Sequence, residues 1–144
     1  MERVEEAVSS FREGFSCAEA IVSTYGPLFG LDRDVAKRAA GGLGGGMGGM
    51  GETCGAVSGA CIVIGLKHGR IRADDLESKK TTYALVNALV KRFRARNGSI
   101  VCRDILGCDV STPEGKEKAR ARCPRIVQDS AEILEELLAL TPSV

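Results

Sequence analysis

Apolar residues recur along the chain at the three- and four-residue spacing of amphipathic helices. The first such stripe runs from Val4 to Phe11 and ends near Gly14. No segment shows the alternation of apolar and polar residues that is typical of a half-buried strand. The pattern therefore predicts an all-α fold, a compact bundle of at least five helices.

Start and stop signals divide the first third of the chain. Ser16 and Glu19 form a Ser-x-x-Glu capping box, which predicts a second helix through Tyr25. Asp32 is placed to cap a third helix that continues through Ala39 into a glycine run. Both boundaries follow from side chains that can accept hydrogen bonds from the first free N–H groups of a helix.

A central helix is predicted to follow the glycine run. Thr53 can cap it, and it extends from Cys54 to about His68, a helix-end residue. Gly55 and Gly59 are small residues four apart and leave a face against which another backbone can pack closely. Together with the low aromatic content, this face predicts a homodimer or higher homo-oligomer.

The second half of the chain predicts three further segments. Asp74 opens the longest helix, which stops at Asn97 before a glycine. Ser99 starts a short helix that ends at Leu106. A last helix is predicted to begin at Pro124, because proline is favoured at a first helical position. A separate start signal lies upstream, at residues 111–114.

Composition and charge limit the classes of function. The 144 residues are 44% hydrophobic, which predicts one folded domain over residues 1–144. Twenty basic and 19 acidic residues nearly cancel, and aromatic residues make up 4%, so nucleic acid is not an expected partner. No apolar run approaches the roughly 20 residues of a membrane span, so we expect no membrane insertion and a cytoplasmic location.

Four of the six cysteines are predicted to lie at helix starts. Each follows a predicted cap or directly precedes the last predicted helix: Cys17, Cys54, Cys102 and Cys123. Free N–H groups and the helix dipole at such positions lower the pKa of a thiol and favour the thiolate. In a reducing compartment, cysteine groups are more often metal-binding or catalytic than disulfide-bonded. We therefore predict that these four residues, here called the cysteine quartet, converge in space.

The spacing of the six cysteines excludes several known cysteine motifs. Cys61 is expected to be a small buried hydrophobe inside the central helix, and Cys108 lies in a connection. There is no Cys-x-x-Cys, so the thioredoxin and zinc-ribbon signatures are missing, as is the Cys-x-x-Cys-His of c-type haem. A metal site would have to be assembled from separate helices.

The glycine run from Gly41 to Gly51 has two open interpretations. Its Gly-x-Gly-x-x-Gly match follows a helix rather than a strand, so a dinucleotide site is not indicated. The segment can turn several N–H groups toward an anion, including a thiolate or a cluster sulfide. It can equally be a flexible loop between two packed helices.

These motifs together resemble the C_GCAxxG_C_C family of redox-active proteins. The resemblance lies in the segments 15–18, 45–60, 99–103 and 123–124, and the Cys-Gly-Ala-x-x-Gly of residues 54–59 is its most specific part. It implies that the cysteine quartet holds the family's four characteristic cysteines, and that Cys61 and Cys108 are additions. It also implies redox activity without naming a substrate.

The resemblance carries further implications about cofactor and partner. Members encoded near transporters suggest handling of a metal or small molecule, with a redox protein or transporter as partner. A related module in split-Soret cytochromes accompanies haem and an iron–sulfur centre, and only the iron–sulfur half could apply here.

Three functions follow from the sequence. The first is a redox or metal-binding protein whose quartet binds an iron–sulfur cluster, or else zinc or Cu(I), since thiolates favour such metals. The second is a thiol–disulfide oxidoreductase in which Cys54 is the attacking, catalytic thiolate. The third is a helical scaffold or oligomer with structural cysteines.

Overall fold

The computed structural model describes residues 2–141, and their backbone forms seven α-helices and two short 3₁₀ helices. The α-helices are α1 (Arg3–Glu13), α2 (Cys17–Tyr25), α3 (Arg33–Ala40), α4 (Gly55–His68), α5 (Leu76–Asn97), α6 (Cys102–Leu106) and α7 (Pro113–Leu137), and the 3₁₀ helices are Gly26–Phe29 and Gly41–Leu43. Over residues 2–141 the only β-type pairing is one isolated bridge, between Thr53 and Val101. The all-α prediction is confirmed.

Helix α4 packs against α2, α5 and α7. Its small residues allow the approach of α2: a Cβ atom added at Gly59 would lie 3.1 Å from the Cα and the carbonyl oxygen of Ala18. The predicted close-packing face of α4 therefore exists, but α2 of the same chain covers it. The predicted homo-oligomer stays a prediction, and it loses this part of its support.

The hydrophobic core follows the apolar faces of the long helices. Ile64, Leu89, Phe93 and Ile133, from α4, α5 and α7, are fully buried. Among residues 2–141, no helix combines the length and the hydropathy that a membrane crossing requires.

Side-chain caps fix the starts of α2, α3 and α5 close to where the sequence placed them. At α2 the capping box is complete, since the Ser16 hydroxyl accepts from the Glu19 N–H at 3.2 Å and the Ser16 N–H donates to the Glu19 carboxylate at 2.9 Å. Asp32 caps α3 as predicted. The cap of α5 is Asp75 rather than Asp74, a shift of one residue.

The predicted cap at Thr53 and the predicted helix start at Ser99 are wrong, because Thr53 and Val101 are held in an extended backbone pairing. Cys54 is therefore the cap of α4 and Val101 that of α6, and neither side chain accepts a capping hydrogen bond.

The predicted helix start at Pro124 is wrong. Helix α7 begins at Pro113 and runs through Pro124 without a break. The start signal upstream is the one the chain uses, because the Thr112 hydroxyl accepts a hydrogen bond from the Gly115 N–H at 3.0 Å. A proline inside a helix costs about 3 kcal/mol. The helix continues because residues on both sides of Pro124, including Cys123 and Ile126, are buried in the same core.

The glycine run is a compact turn and not an open connection. Five successive residues, 45–49, have positive φ values between 57° and 77°. N–H groups of the segment donate to its own carbonyl groups, for example Gly49 to Gly44 at 3.0 Å and Gly51 to Gly45 at 3.0 Å. The segment therefore has a defined backbone conformation with internal hydrogen bonds, which the flexible-loop interpretation did not include.

Candidate functional site

The four residues of the cysteine quartet line one cavity of about 570 Å³. They reach it from four helices: Cys17 is the first residue of α2, Cys54 is the cap of α4, Cys102 is the first residue of α6, and Cys123 lies within α7. The structure therefore brings together residues that are up to 106 positions apart in the chain. Their roles as ligands or as a nucleophile stay predictions.

A short antiparallel backbone pairing places Cys54 beside Cys102. The Cys54 N–H donates to the Ile100 carbonyl at 2.7 Å, and the Cys102 N–H donates to the Glu52 carbonyl at 2.6 Å. These bonds satisfy two N–H groups that would otherwise be free near the starts of α4 and α6. They also fix the two cysteines on one wall of the cavity.

The compact glycine turn packs closely against the starts of α2 and α6. A Cβ atom added at Gly44 would lie 2.7 Å from the Cβ of Ser16, the cap of α2, and one at Gly46 would lie 2.7 Å from the Cβ of Cys102. Real Cβ atoms do not approach so closely, so only glycine permits this packing. The turn thus sits between the starts of α2 and α6 and sets their separation.

The thiols of Cys54, Cys17 and Cys123 influence one another in the cavity. The interaction with the Cys17 thiol lowers the pKa of Cys54, burial opposes it, and the N–H groups of Ala56 and Val57 add to the lowering. The interactions with Cys123 and Cys54, together with burial, raise the pKa of Cys17 well above its ordinary value. Cys54 is therefore the first of the two to ionise, with the Cys17 S–H as its partner.

The lowered pKa predicted for the whole quartet is correct for Cys54 but wrong for Cys17 and Cys102. Burial raises the pKa of Cys102 to about 12, and the nearby thiols of Cys54, Cys123 and Cys108 add to the increase. The position of Cys102 at a helix start does not offset this, because α6 has five residues and the thiol loses its contact with water.

Cys123 reaches the cavity in a different way from the one predicted. It is not at a helix N-terminus but in the interior of α7, so no free N–H groups surround it. The helical period places Lys116, Ala119, Arg120 and Cys123 on one face of α7, and all four line the cavity. The sequence analysis missed the two cations because it began the last helix at Pro124.

The remaining cysteines and the histidine lie outside this arrangement. Cys61 is on α4, does not line the cavity, and has a pKa raised by burial. Cys108 follows α6 in the connection to α7, near enough to Cys102 to influence its thiol. His68 is the last residue of α4, as predicted.

The thiols do not form a ready-made site for a single metal ion. Within residues 2–141, no group of three or more His, Cys, Asp or Glu side chains is arranged to hold one. Three of the quartet are nearly inaccessible, with exposed fractions of 4% for Cys54, 8% for Cys102 and 7% for Cys123. All six cysteines are free thiols. The site is thus a sulfur-lined, mainly apolar cavity.

Comparison with known proteins identifies the family of the chain. The sequence model of the C_GCAxxG_C_C family, described as "Putative redox-active protein", matches residues 15–137. The chain belongs to this family of cysteine-containing redox-active proteins. Searches of curated proteins and of solved structures gave no match.

Proposed function

We propose that this chain is an electron-transfer protein whose cysteine quartet binds an iron–sulfur cluster in the cavity. One observation carries the proposal: four thiols from four helices line a single cavity of about 570 Å³. Thiolates are the ligands that iron–sulfur clusters require, and a cluster is held by four of them.

The size of the cavity favours a cluster over a single ion. A structural zinc ion needs four ligands that converge at about 2.3 Å from one point. No group of three ligands in residues 2–141 meets that condition. In an iron–sulfur cluster four thiolates would be divided among two or more iron atoms, so they need not converge on one point. The four thiols fit such a group in their chemistry, and they line one cavity of about 570 Å³.

Cys17, Cys54, Cys102 and Cys123 would hold the cluster, which would supply one-electron oxidation and reduction. Other residues of the chain determine the environment of the four thiols. Ile105 and Ile126 give the cavity apolar walls. Gly45 and Gly46 also line it, and within residues 2–141 their N–H groups make no hydrogen bond. Such groups can offset negative charge on sulfur, as expected for a tuned redox site.

Anaerobic purification, with reconstitution by iron and sulfide, tests the proposal. We expect iron and acid-labile sulfide in near-equal amounts, visible absorption, and a paramagnetic signal in one oxidation state. Replacing any quartet member by serine should lower the iron content and shift or abolish the signal. Cys61→Ser is the matched control, because Cys61 lies on α4 like the Cys54 cap but does not line the cavity. Wild-type protein that takes up no iron would end the proposal.

A second candidate, thiol–disulfide exchange, is favoured by the pairing of Cys54 with Cys17. The Cys54 thiolate would attack a substrate disulfide, forming a mixed disulfide and releasing one substrate thiolate, which takes up a proton. The Cys17 sulfur, after losing its proton, would then attack Cys54, so that the second substrate thiol leaves and a Cys17–Cys54 disulfide remains. The substrate is reduced by two electrons, and the two cysteines are oxidised by two.

Mass spectrometry separates this second function from the first. In metal-free protein exposed to a small disulfide, we expect a reversible Cys17–Cys54 disulfide, and Cys17→Ser should trap the mixed disulfide on Cys54. Protein that binds iron and forms neither species would exclude the second function. Thiols that do neither would leave the scaffold interpretation as the remaining one.

A further inference from the structure

The cavity contains two cations that neither proposed function uses. Lys116 and Arg120 lie one turn apart on α7, on the face that continues to Cys123, and both line the cavity. Among the ion pairs formed within residues 2–141, neither takes part in one. Their neighbour Lys118 differs, because it pairs with Glu114 at 3.3 Å.

The rest of this wall is apolar. Phe11, Ile105, Leu106 and Val110 line the same cavity, and its volume of about 570 Å³ falls within the range of roughly 300–1,000 Å³ found for small-molecule sites. Such sites combine apolar walls with a few polar groups that fix the orientation of the ligand. Here the polar groups outside the thiols and the turn are two side chains with positive charge and two serine hydroxyls.

We infer that the cavity binds a small organic anion, with the apolar body of the ligand against Val110 and its anionic group at Lys116 and Arg120. Both cations are exposed at the cavity rim, where they can meet an anion without the desolvation of a fully buried charge. A ligand held in this way lies beside the cysteine quartet. The inference rests on the two cations and the apolar wall rather than on the thiols, and a cluster on the quartet would take up part of the same cavity.

A matched pair of probes tests the inference on the protein as purified under argon. The first is 8-anilinonaphthalene-1-sulfonate, which has an apolar body and a sulfonate. The second is N-phenyl-1-naphthylamine, which has the same body without the charge. Equilibrium dialysis measures the Kd of each. We expect the sulfonate to bind more tightly than the neutral probe, and the preference to weaken as the salt concentration rises.

Two variants test separately whether the cations bind the anionic group and whether the apolar wall binds the body of the ligand. Lys116→Gln combined with Arg120→Gln should raise the Kd of the sulfonate roughly tenfold and leave that of the neutral probe unchanged. Lys118→Gln combined with Arg122→Gln is the control, because these exposed residues of α7 do not line the cavity. Val110→Phe should weaken the binding of both probes by filling the cavity.

Two results would overturn the inference. The first is that the double variant at positions 116 and 120 binds the sulfonate as tightly as the wild type does. The second is that the Val110→Phe protein binds both probes with unchanged Kd. Circular dichroism checks that each variant is folded. If Val110→Phe does not fold, Ala119→Phe replaces it, since Ala119 lines the same cavity. Iron binding is measured separately, so failure of this inference is distinct from failure of the cluster proposal.

Discussion

The two ends of α4 satisfy their polar groups in different ways. At the C-terminal end, Arg3 holds Glu135 through two hydrogen bonds of 2.9 and 2.8 Å, and Lys67 donates to the Leu138 carbonyl at 2.6 Å. At the N-terminal end, the Cys54 cap faces a cavity lined by thiols, by the glycine turn and by two cations that have no carboxylate partner among residues 2–141. The helix separates the two ends by about 20 Å, at 1.5 Å per residue.

The difference indicates where the fold is stabilised and where it is adapted to chemistry. The C-terminal end contains complementary charges and buried aliphatic residues. The N-terminal end contains a non-glycine residue with left-handed backbone, Met47, and a proline inside α7 nearby, and each of these is less stable than an ordinary alternative. Departures from local rules that concentrate at one site are expected where a protein has a function. The predictions below test this contrast.

The largest expected effect is on the glycine turn. Gly46→Ala should lower the free energy of unfolding by about 2–5 kcal/mol, because it combines left-handed backbone with overpacking. Gly46 has φ of 70°, and its added Cβ would lie 2.6 Å from the Glu52 nitrogen and 2.7 Å from the Cys102 Cβ. Urea denaturation measures the change.

Gly48→Ala is the matched control for the glycine turn. Gly48 has φ of 57° but nothing within 4 Å of an added Cβ, so only the backbone conformation is penalised. We expect a loss of about 1–2 kcal/mol. Equal losses for the two variants would contradict the conclusion that the turn is packed against α6.

The proline inside α7 gives the next largest effect. Pro124→Ala should raise the free energy of unfolding by about 2 kcal/mol, because alanine restores an N–H donor to the Arg120 carbonyl and relieves the clash with it. Pro113→Ala, at the start of the same helix, should be neutral or slightly destabilising. Thermal melts of both proteins provide the measurement. A destabilising Pro124→Ala would show that Pro124 stabilises the cavity end.

The helical fold could be predicted from sequence because its signals are local. The capping box of Ser16 and Glu19 and the stop at Asn97 depend on neighbouring residues alone, and both are confirmed. Pro124 was misread because a local preference for a first turn was outweighed by burial on both sides of it. Because a helix that begins at Pro124 does not include Lys116 and Arg120, these two residues could not be predicted as part of the site.

The chemistry of the thiols was less predictable than their position. The four quartet cysteines were expected together and line one cavity. The direction of each pKa shift depends on burial and on which sulfur faces which, as the contrast between Cys54 and Cys102 demonstrates. Neither the burial of a thiol nor the identity of its neighbouring sulfur can be predicted from the helix boundaries. Whether the quartet binds a cluster stays a prediction.

The third prediction concerns thiol reactivity at the two positions of α4. Exposure alone would make Cys61 react first, because Cys54 is 4% exposed and Cys61 is partly exposed. Ionisation favours Cys54, since the pKa of Cys54 is lowered and burial raises that of Cys61. In metal-free, reduced protein near pH 7.5, we expect iodoacetamide to label Cys54 faster than Cys61, because the thiolate is the nucleophile.

A variant checks the cause of that reactivity. Cys17→Ala removes the thiol that stabilises the Cys54 thiolate, so labelling of Cys54 should slow while labelling of Cys61 stays the same. Peptide mass spectrometry follows both sites in one sample. Faster labelling of Cys61 than Cys54 in the wild-type protein would mean that accessibility, rather than ionisation, controls these thiols.

The smallest expected effect lies at the C-terminal end of α4. Burial alone would raise the pKa of Glu135, but the hydrogen bonds from Arg3 and Tyr25 outweigh it, and the pKa is lowered. A lowered pKa in the folded state means that the stabilisation is present above the unfolded pKa and is lost as the pH falls through the folded value. Between pH 5 and pH 3 the wild type should therefore lose about 1 kcal/mol more stability than Glu135→Gln, as measured by urea denaturation. Glu136→Gln removes the exposed pair with Arg92 and should leave the wild-type pH dependence unchanged. If Glu135→Gln loses as much stability as the wild type over this range, the ion pair does not contribute to the contrast between the two ends.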